Sequence, residues 1–238
     1  NDLGFVALVV YGCSAIYIIS LAATVALGGN IMGTGNPLMM LSPDTLVQFL
    51  LGASGAQPVF GYGRWWSVLS ASWLHGGVLH ILFNMLWVRQ LGPATAEIYG
   101  PGRMIIIYTI AGAVGFTLSS LGGYFMGWMP IPFLRGAYMT VGASASIFGL
   151  LGALVYYGRR GGSSIIRSEA MGYAITLGIM GFILPGVDNY AHGGGFLGGY
   201  LAAIWLDPLK PERMDHLIGA ALCLALTALA IVASVVTA

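Results

Sequence analysis

Residues 140–158 read TVGASASIFGLLGALVYYG: two hydroxyls, Ser144 and Ser146, head an apolar, glycine-spaced run that carries no charge before Arg159. A run of about 20 apolar residues is the length that crosses a bilayer as one helix. The stretch therefore decides between a soluble fold and a membrane fold, and it also raises the question of whether one serine is a nucleophile.

The rest of the chain agrees with a membrane fold. The 238 residues are 58% hydrophobic and only 7% charged, with a mean hydropathy of +0.86, which leaves too little polar surface for a soluble domain. An all-α polytopic membrane protein is expected. The net charge of +1 gives no reason to expect nucleic acid as a partner. Cys13 and Cys223 lie in separate apolar runs and form no metal-ligand spacing, so no metal or other cofactor is expected.

Seven candidate spans lie near 5–27, 73–91, 103–125, 141–158, 170–186, 190–206 and 216–237. The first exceeds a signal-peptide core and shows no clear cleavage site, so it is expected to stay as a helix. Between the fifth and sixth, LPGVDN with Pro185, Gly186 and Asp188 suits a tight turn. The connection near 28–72 is long, with DTLVQFLLG spaced as a short amphipathic helix. Tyr62, Trp65, Trp66 and Trp73 are expected at the membrane interface.

Basic residues set the direction. Arg89, Arg103, Arg159, Arg160, Arg167, Lys210 and Arg213 cluster at one side, against Arg64 and Arg135 at the other. Cytoplasmic loops collect such charges, so the N-terminus is expected in the cytoplasm, with spans two, four and six descending from the outer face.

These three spans carry polar groups where polarity is costly. Span two has His80 and Asn84, four residues apart and so on one helical face; span four has Ser144; span six has His192. All are expected about one to two turns below the outer surface. Ser144 with His192 forms a nucleophile and general base, and Asn84 and His80 suit an oxyanion site. Ser146 is about 200° around the helix from Ser144, so both cannot face one histidine. Ser54, in the rival string GASG at 52–55, sits in a loop with no evident fixed geometry toward His192. Asp188 is expected in the turn outside span six, which favours a dyad over a triad.

Gly149, Gly152, Gly195 and Gly199 offer small faces for close packing of spans four and six. Phe148, one turn below Ser144, is placed to stack on the imidazole. His75 is expected to be interfacial or structural, His216 solvated, and Glu97 and Arg103 to cap or pair in a cytoplasmic loop.

HGGVLHILFNM, GASASIFG and AHGGGFLGG together resemble the signatures of the rhomboid family of intramembrane serine proteases, and LGPATAEIYGPGRM is similar to the family's loop after span two. The resemblance implies a six-helix catalytic core, here residues 1–206, with 207–238 adding a linker and a seventh transmembrane helix. It implies Ser144 as nucleophile, His192 as base and His80 with Asn84 at the oxyanion. It also implies cleavage of transmembrane protein substrates in the lipid bilayer near the extracytoplasmic face, often after a small residue. One position departs: Ala145 stands where the family usually has glycine, and its methyl is expected beside the active-site backbone. The alternative is a noncatalytic rhomboid-like protein that binds membrane clients. A transporter would need charged residues along a path through the membrane, whereas the polar cluster here is confined to the outer third.

Overall fold

The computed structural model describes residues 2–32, 40–131, 134–184 and 186–237. Among these residues the chain forms seven long helices: α1 (Phe5–Ala26), α4 (Val78–Tyr99), α5 (Pro101–Met126), α6 (Ser144–Arg159), α7 (Ser164–Ile183), α8 (Asn189–Trp205) and α9 (Met214–Val236). Two short ones, α2 (Thr45–Leu51) and α3 (Ser67–Ser70), lie in the first connection. α1, α5 and α9 are each long and apolar enough by themselves to cross a membrane.

Rows of large apolar residues face outward, including Ile18 and Ile19 on α1, Ile175 and Ile179 on α7, and Leu222, Leu226 and Leu229 on α9. Such belts would drive aggregation in water, and in a bilayer they face solvent of their own polarity. The chain is an integral membrane protein.

α6 sits at the centre, with its most extensive contacts against α8 and further ones to α5, α7 and α4. Eleven of its residues, from Ala145 to Val155, are buried. Glycine permits this. A Cβ on Gly199 would lie 2.0 Å from the Gly149 carbonyl oxygen, and one on Gly152 would lie 2.2 Å from that of Phe196. Bilayer helices gain little from a hydrophobic effect between them, so this backbone-to-backbone approach supplies the dispersion contact that holds the pair.

The second long helix differs from its expected span. It starts at Val78, because Gly77 is extended and His75 belongs to the segment before it, and it runs on through Pro93 to Tyr99. Arg89 therefore lies within α4, not in a loop. Pro185 lies outside the described residues; beyond it Gly186 has φ +82° and Asp188 caps α8.

The first connection is ordered. Asp44 caps α2 by accepting from Leu46 N at 2.8 Å, and Gly52 ends it with φ 109°. Ser54 is pinned rather than loose: its N–H donates to Thr140 O at 3.0 Å, and its carbonyl accepts from Thr140 N at 2.7 Å. Two of the four aromatics, Trp73 and the half-buried Trp66, pack against other helices. Trp73 is buried against Gly12 of α1, and Trp66 Nε1 donates to Ser234 Oγ of α9 at 3.0 Å. Arg64 is buried too, donating to Phe49 O and Thr237 O, each at 2.9 Å. The far end of α9 is thereby fastened to the first connection, satisfying an end-of-helix carbonyl that lacks a partner within the helix.

Candidate active site

Ser144 is the first residue of α6, and His192 lies in the first turn of α8. The Oγ and Nε2 atoms are 2.9 Å apart. Because the N-termini of α6 and α8 lie at one end of the bundle, a hydroxyl and an imidazole 48 positions apart in the chain meet there. The Phe148 ring stacks on that of His192, with centroids 4.3 Å apart and planes 19° from parallel. His192 Nδ1 has no protein partner among the described residues. Ring orientation therefore comes from the Phe148 face and the Ser144 bond.

On the other side of Ser144, Gly142 has φ +131°, and a Cβ there would lie 2.6 Å from His80 Nε2. Only glycine fits that approach. Gly76 N donates to His80 Nδ1 at 3.1 Å. A neutral imidazole that accepts at one nitrogen carries its proton on the other. His80 thus presents an Nε2–H donor toward the Gly142 backbone, two residues before Ser144. Asn84 Nδ2 lies 3.8 Å from the same imagined Cβ, and one of its two protons goes to His80 O at 2.9 Å, leaving the second free. The unsatisfied N–H groups and positive dipole end of α6's first turn add to the same region.

His75 is not interfacial: it is 1% exposed, its Nε2 accepts from Ala143 N at 3.5 Å, and its ring meets that of His80 edge-on at 5.2 Å. It supports the backbone just before Ser144. Neither rival serine reaches a histidine. Ser54 Oγ accepts from Ser67 Oγ at 3.1 Å, and Ser146 Oγ donates to Ser72 Oγ at 3.2 Å on the opposite side of α6. At the far end of the bundle Arg103 caps the chain after α8, donating to Leu206 O at 2.8 Å and Asp207 O at 2.9 Å, while Glu97 is exposed. His216 is only partly exposed and accepts from Arg213 N at 3.1 Å as part of the α9 cap.

Ala145 does not crowd the site. Its methyl packs with Ala71, Phe116 and Ala191, and Gly115 of α5 leaves the room: a Cβ on Gly115 would fall 2.9 Å from that of Ala145. Ala145→Gly is therefore expected to leave turnover within about twofold while lowering stability by roughly 1 kcal/mol through a lost buried methyl. Steady-state kinetics and a thermal-unfolding series check this pair of outcomes.

Sequence reading missed the part played by Gly142, although it lies in the quoted string; the His80 ring that leaves no room for a Cβ there is remote in sequence. It also missed Ser119 and Thr140, which carry no motif signal.

The family model for the Rhomboid domain matches residues 62–209. The chain is 33% identical to the Rhomboid protease GluP of Bacillus subtilis (strain 168), over 77% of this chain and 34% of that protein. It is 35% identical to RHOMBOID-like protein 7 of Arabidopsis thaliana, over 72% of this chain and 51% of that protein. RHOMBOID-like protein 4 of the same plant is 36% identical, over 70% of this chain and 40% of that protein. The chain thus spans about a third to a half of the length of these relatives. The matched residues contain all three motifs and both members of the Ser144–His192 pair, and the chain belongs to the rhomboid family.

Proposed function

We propose that this chain is an intramembrane serine endopeptidase that cuts transmembrane-helix substrates near the outer membrane face by a Ser144–His192 dyad. The observation that carries the reading is the 2.9 Å contact between Ser144 Oγ and His192 Nε2 at the heads of two packed helices. Residues 1–206 act as the catalytic core, and α9 is appended to it. The excess of Arg and Lys at the opposite end of the bundle supports an N-terminus in the cytoplasm and a site that opens outward.

In the reaction Ser144 Oγ attacks the scissile carbonyl carbon as its proton passes to His192 Nε2. The carbonyl electrons move to oxygen, and the resulting oxyanion accepts from His80 Nε2–H, the free Asn84 Nδ2–H and the first-turn N–H groups of α6. His192 then gives its proton to the leaving amine, and the acyl-enzyme is released by water under the same base. No step requires a carboxylate behind His192, because stacking on Phe148 already limits ring rotation. A helical substrate hides its carbonyls in backbone hydrogen bonds, so the segment at the scissile bond must unwind as it reaches Ser144.

The client-binding alternative rests on Ala145, and the packing of that methyl against α5 counts in favour of the protease reading. In proteoliposomes the wild type is expected to cleave a single-span reporter within its outer third, and Ser54→Ala and Ser146→Ala are expected to retain cleavage. No product from any of a panel of single-span reporters, with protein shown to be folded, would contradict the protease reading.

A further inference from the structure

Three segments around the dyad meet at one carboxylate: α5, the stretch before Ser144 and the head of α8. Asp188 caps α8 by accepting from Ala191 N at 2.9 Å through Oδ1, while Oδ2 accepts from Ser119 Oγ of α5 at 2.5 Å. Ser119 Oγ in turn accepts from Ala137 N at 3.2 Å, in the extended segment that leads to Ser144. No Lys, Arg or His among the described residues lies within ion-pair distance of Asp188, so its charge is met by hydrogen-bond donors alone.

The places these donors occupy matter. Ala191 immediately precedes His192, and Ala137, bonded to Ser119, lies in the segment that runs on through Thr140 to Ser144. Ser119 is fully buried in α5, against which the 136–140 segment lies so closely that a Cβ on Gly136 would fall 2.0 Å from Gly123 N. Thr140 is held in place by Ser54. The two catalytic side chains sit on separate helices, whose backbones pack closely from Gly195 against Ala145 onward, and among the described residues the only hydrogen bond directly between the two heads is that of Ser144 with His192.

We propose that Asp188 is a positioning residue for the dyad, its carboxylate tying the Ser144 approach segment and the head of the His192 helix to Ser119 of α5. It touches neither substrate nor reacting atoms. It works by setting the Oγ to Nε2 distance, and small displacements there are costly to rate, since misplacement by 1 Å can cost about 10²-fold. The inference rests on the dyad reading above.

The test separates capping from positioning. Asparagine caps a helix as well as aspartate does, so Asp188→Asn keeps the bond to Ala191 N but loses the second acceptor oxygen, to which Ser119 donates. Asp188→Asn and Ser119→Ala are expected to fold, with thermal midpoints lowered only modestly by the buried hydrogen bond each loses. Each should lower kcat by about tenfold or more with KM within about twofold, and should slow phosphonate labelling of Ser144 in parallel. In protein labelled with [15N]histidine, the His192 Nε2 resonance, assigned by its loss in His192→Ala, is expected to move in both variants. Unchanged kcat, labelling rate and resonance in the two folded variants would overturn the proposal. The resonance needs no turnover: an inactive wild type would count against the protease reading, while the spectra would still decide the role of Asp188.

Discussion

Ser144→Ala and His192→Ala are each expected to lower reporter cleavage by about 10⁴-fold or more while leaving the protein folded. The first removes the attacking oxygen. The second leaves a serine hydroxyl that has no acceptor for its proton, since the described residues place no other histidine or carboxylate against Ser144 Oγ. Because the two groups act as one unit, the double variant should be no slower than either single one. Stability should barely change in Ser144→Ala, whose side chain is half-buried and bonded only to His192. His192→Ala also loses the Phe148 stack, which costs about 1 kcal/mol. His80→Ala should cost less, about 10²- to 10³-fold in kcat, because other oxyanion donors remain. Rates measured on detergent-purified protein against a single-span reporter rank the three directly. A His192→Ala protein within tenfold of wild type would remove the general base from the account.

The second large effect is expected at Gly199. The added methyl of Gly199→Ala would lie 2.0 Å from the Gly149 oxygen and 2.4 Å from both its carbonyl carbon and its Cα. None of those is a flexible side-chain end, so α6 and α8 must part by more than 1 Å. Overpacking of this kind costs about 1–3 kcal/mol and occasionally more, and the same shift separates Ser144 from His192. A fall in activity of at least about 10²-fold is expected together with a lower thermal midpoint. Gly193, on the same helix, has nothing within 4 Å of its would-be Cβ. Gly193→Ala should therefore keep its stability or gain slightly from better helix propensity. Equal stability of the two variants would refute the close α6–α8 contact as the element that holds the site.

Much of this arrangement was legible in the sequence because it is written in local patterns. Apolar runs gave the seven long helices, and His80, Asn84, Ser144 and His192 stood out because polar groups within spans are expensive. Gly149, Gly152, Gly195 and Gly199 foretold close packing, and Phe148 fell one turn below the serine as the stack requires. What could not be read depends on partners distant in sequence. Ser54 pairs with Thr140, Trp66 with Ser234 and Ser119 with Asp188 across 69 positions, and no local pattern around Ser54, Trp66 or Asp188 names the distant partner. The limits of α4 were missed for a local reason: Arg89 and Gln90 end the apolar run, but the hydrogen-bonded helix continues for more than two further turns.

The same distinction explains Ala145. From the string alone, an extra methyl beside a nucleophile sits next to the active-site backbone, and its direction is undetermined. The fold turns it toward Gly115, where α5 supplies the missing volume. An alanine after the serine and a glycine on the facing helix thus form one complementary pair.

The central claim is that Ser144, activated by His192, is the nucleophile, and the site of covalent capture tests it most directly. Wild-type protein reacted with a serine-directed phosphonate, digested and mapped by mass spectrometry is expected to carry the adduct on Ser144 alone, and His192→Ala is expected to carry none. An adduct on Ser54 or Ser146, or labelling that persists in Ser144→Ala, would contradict the account.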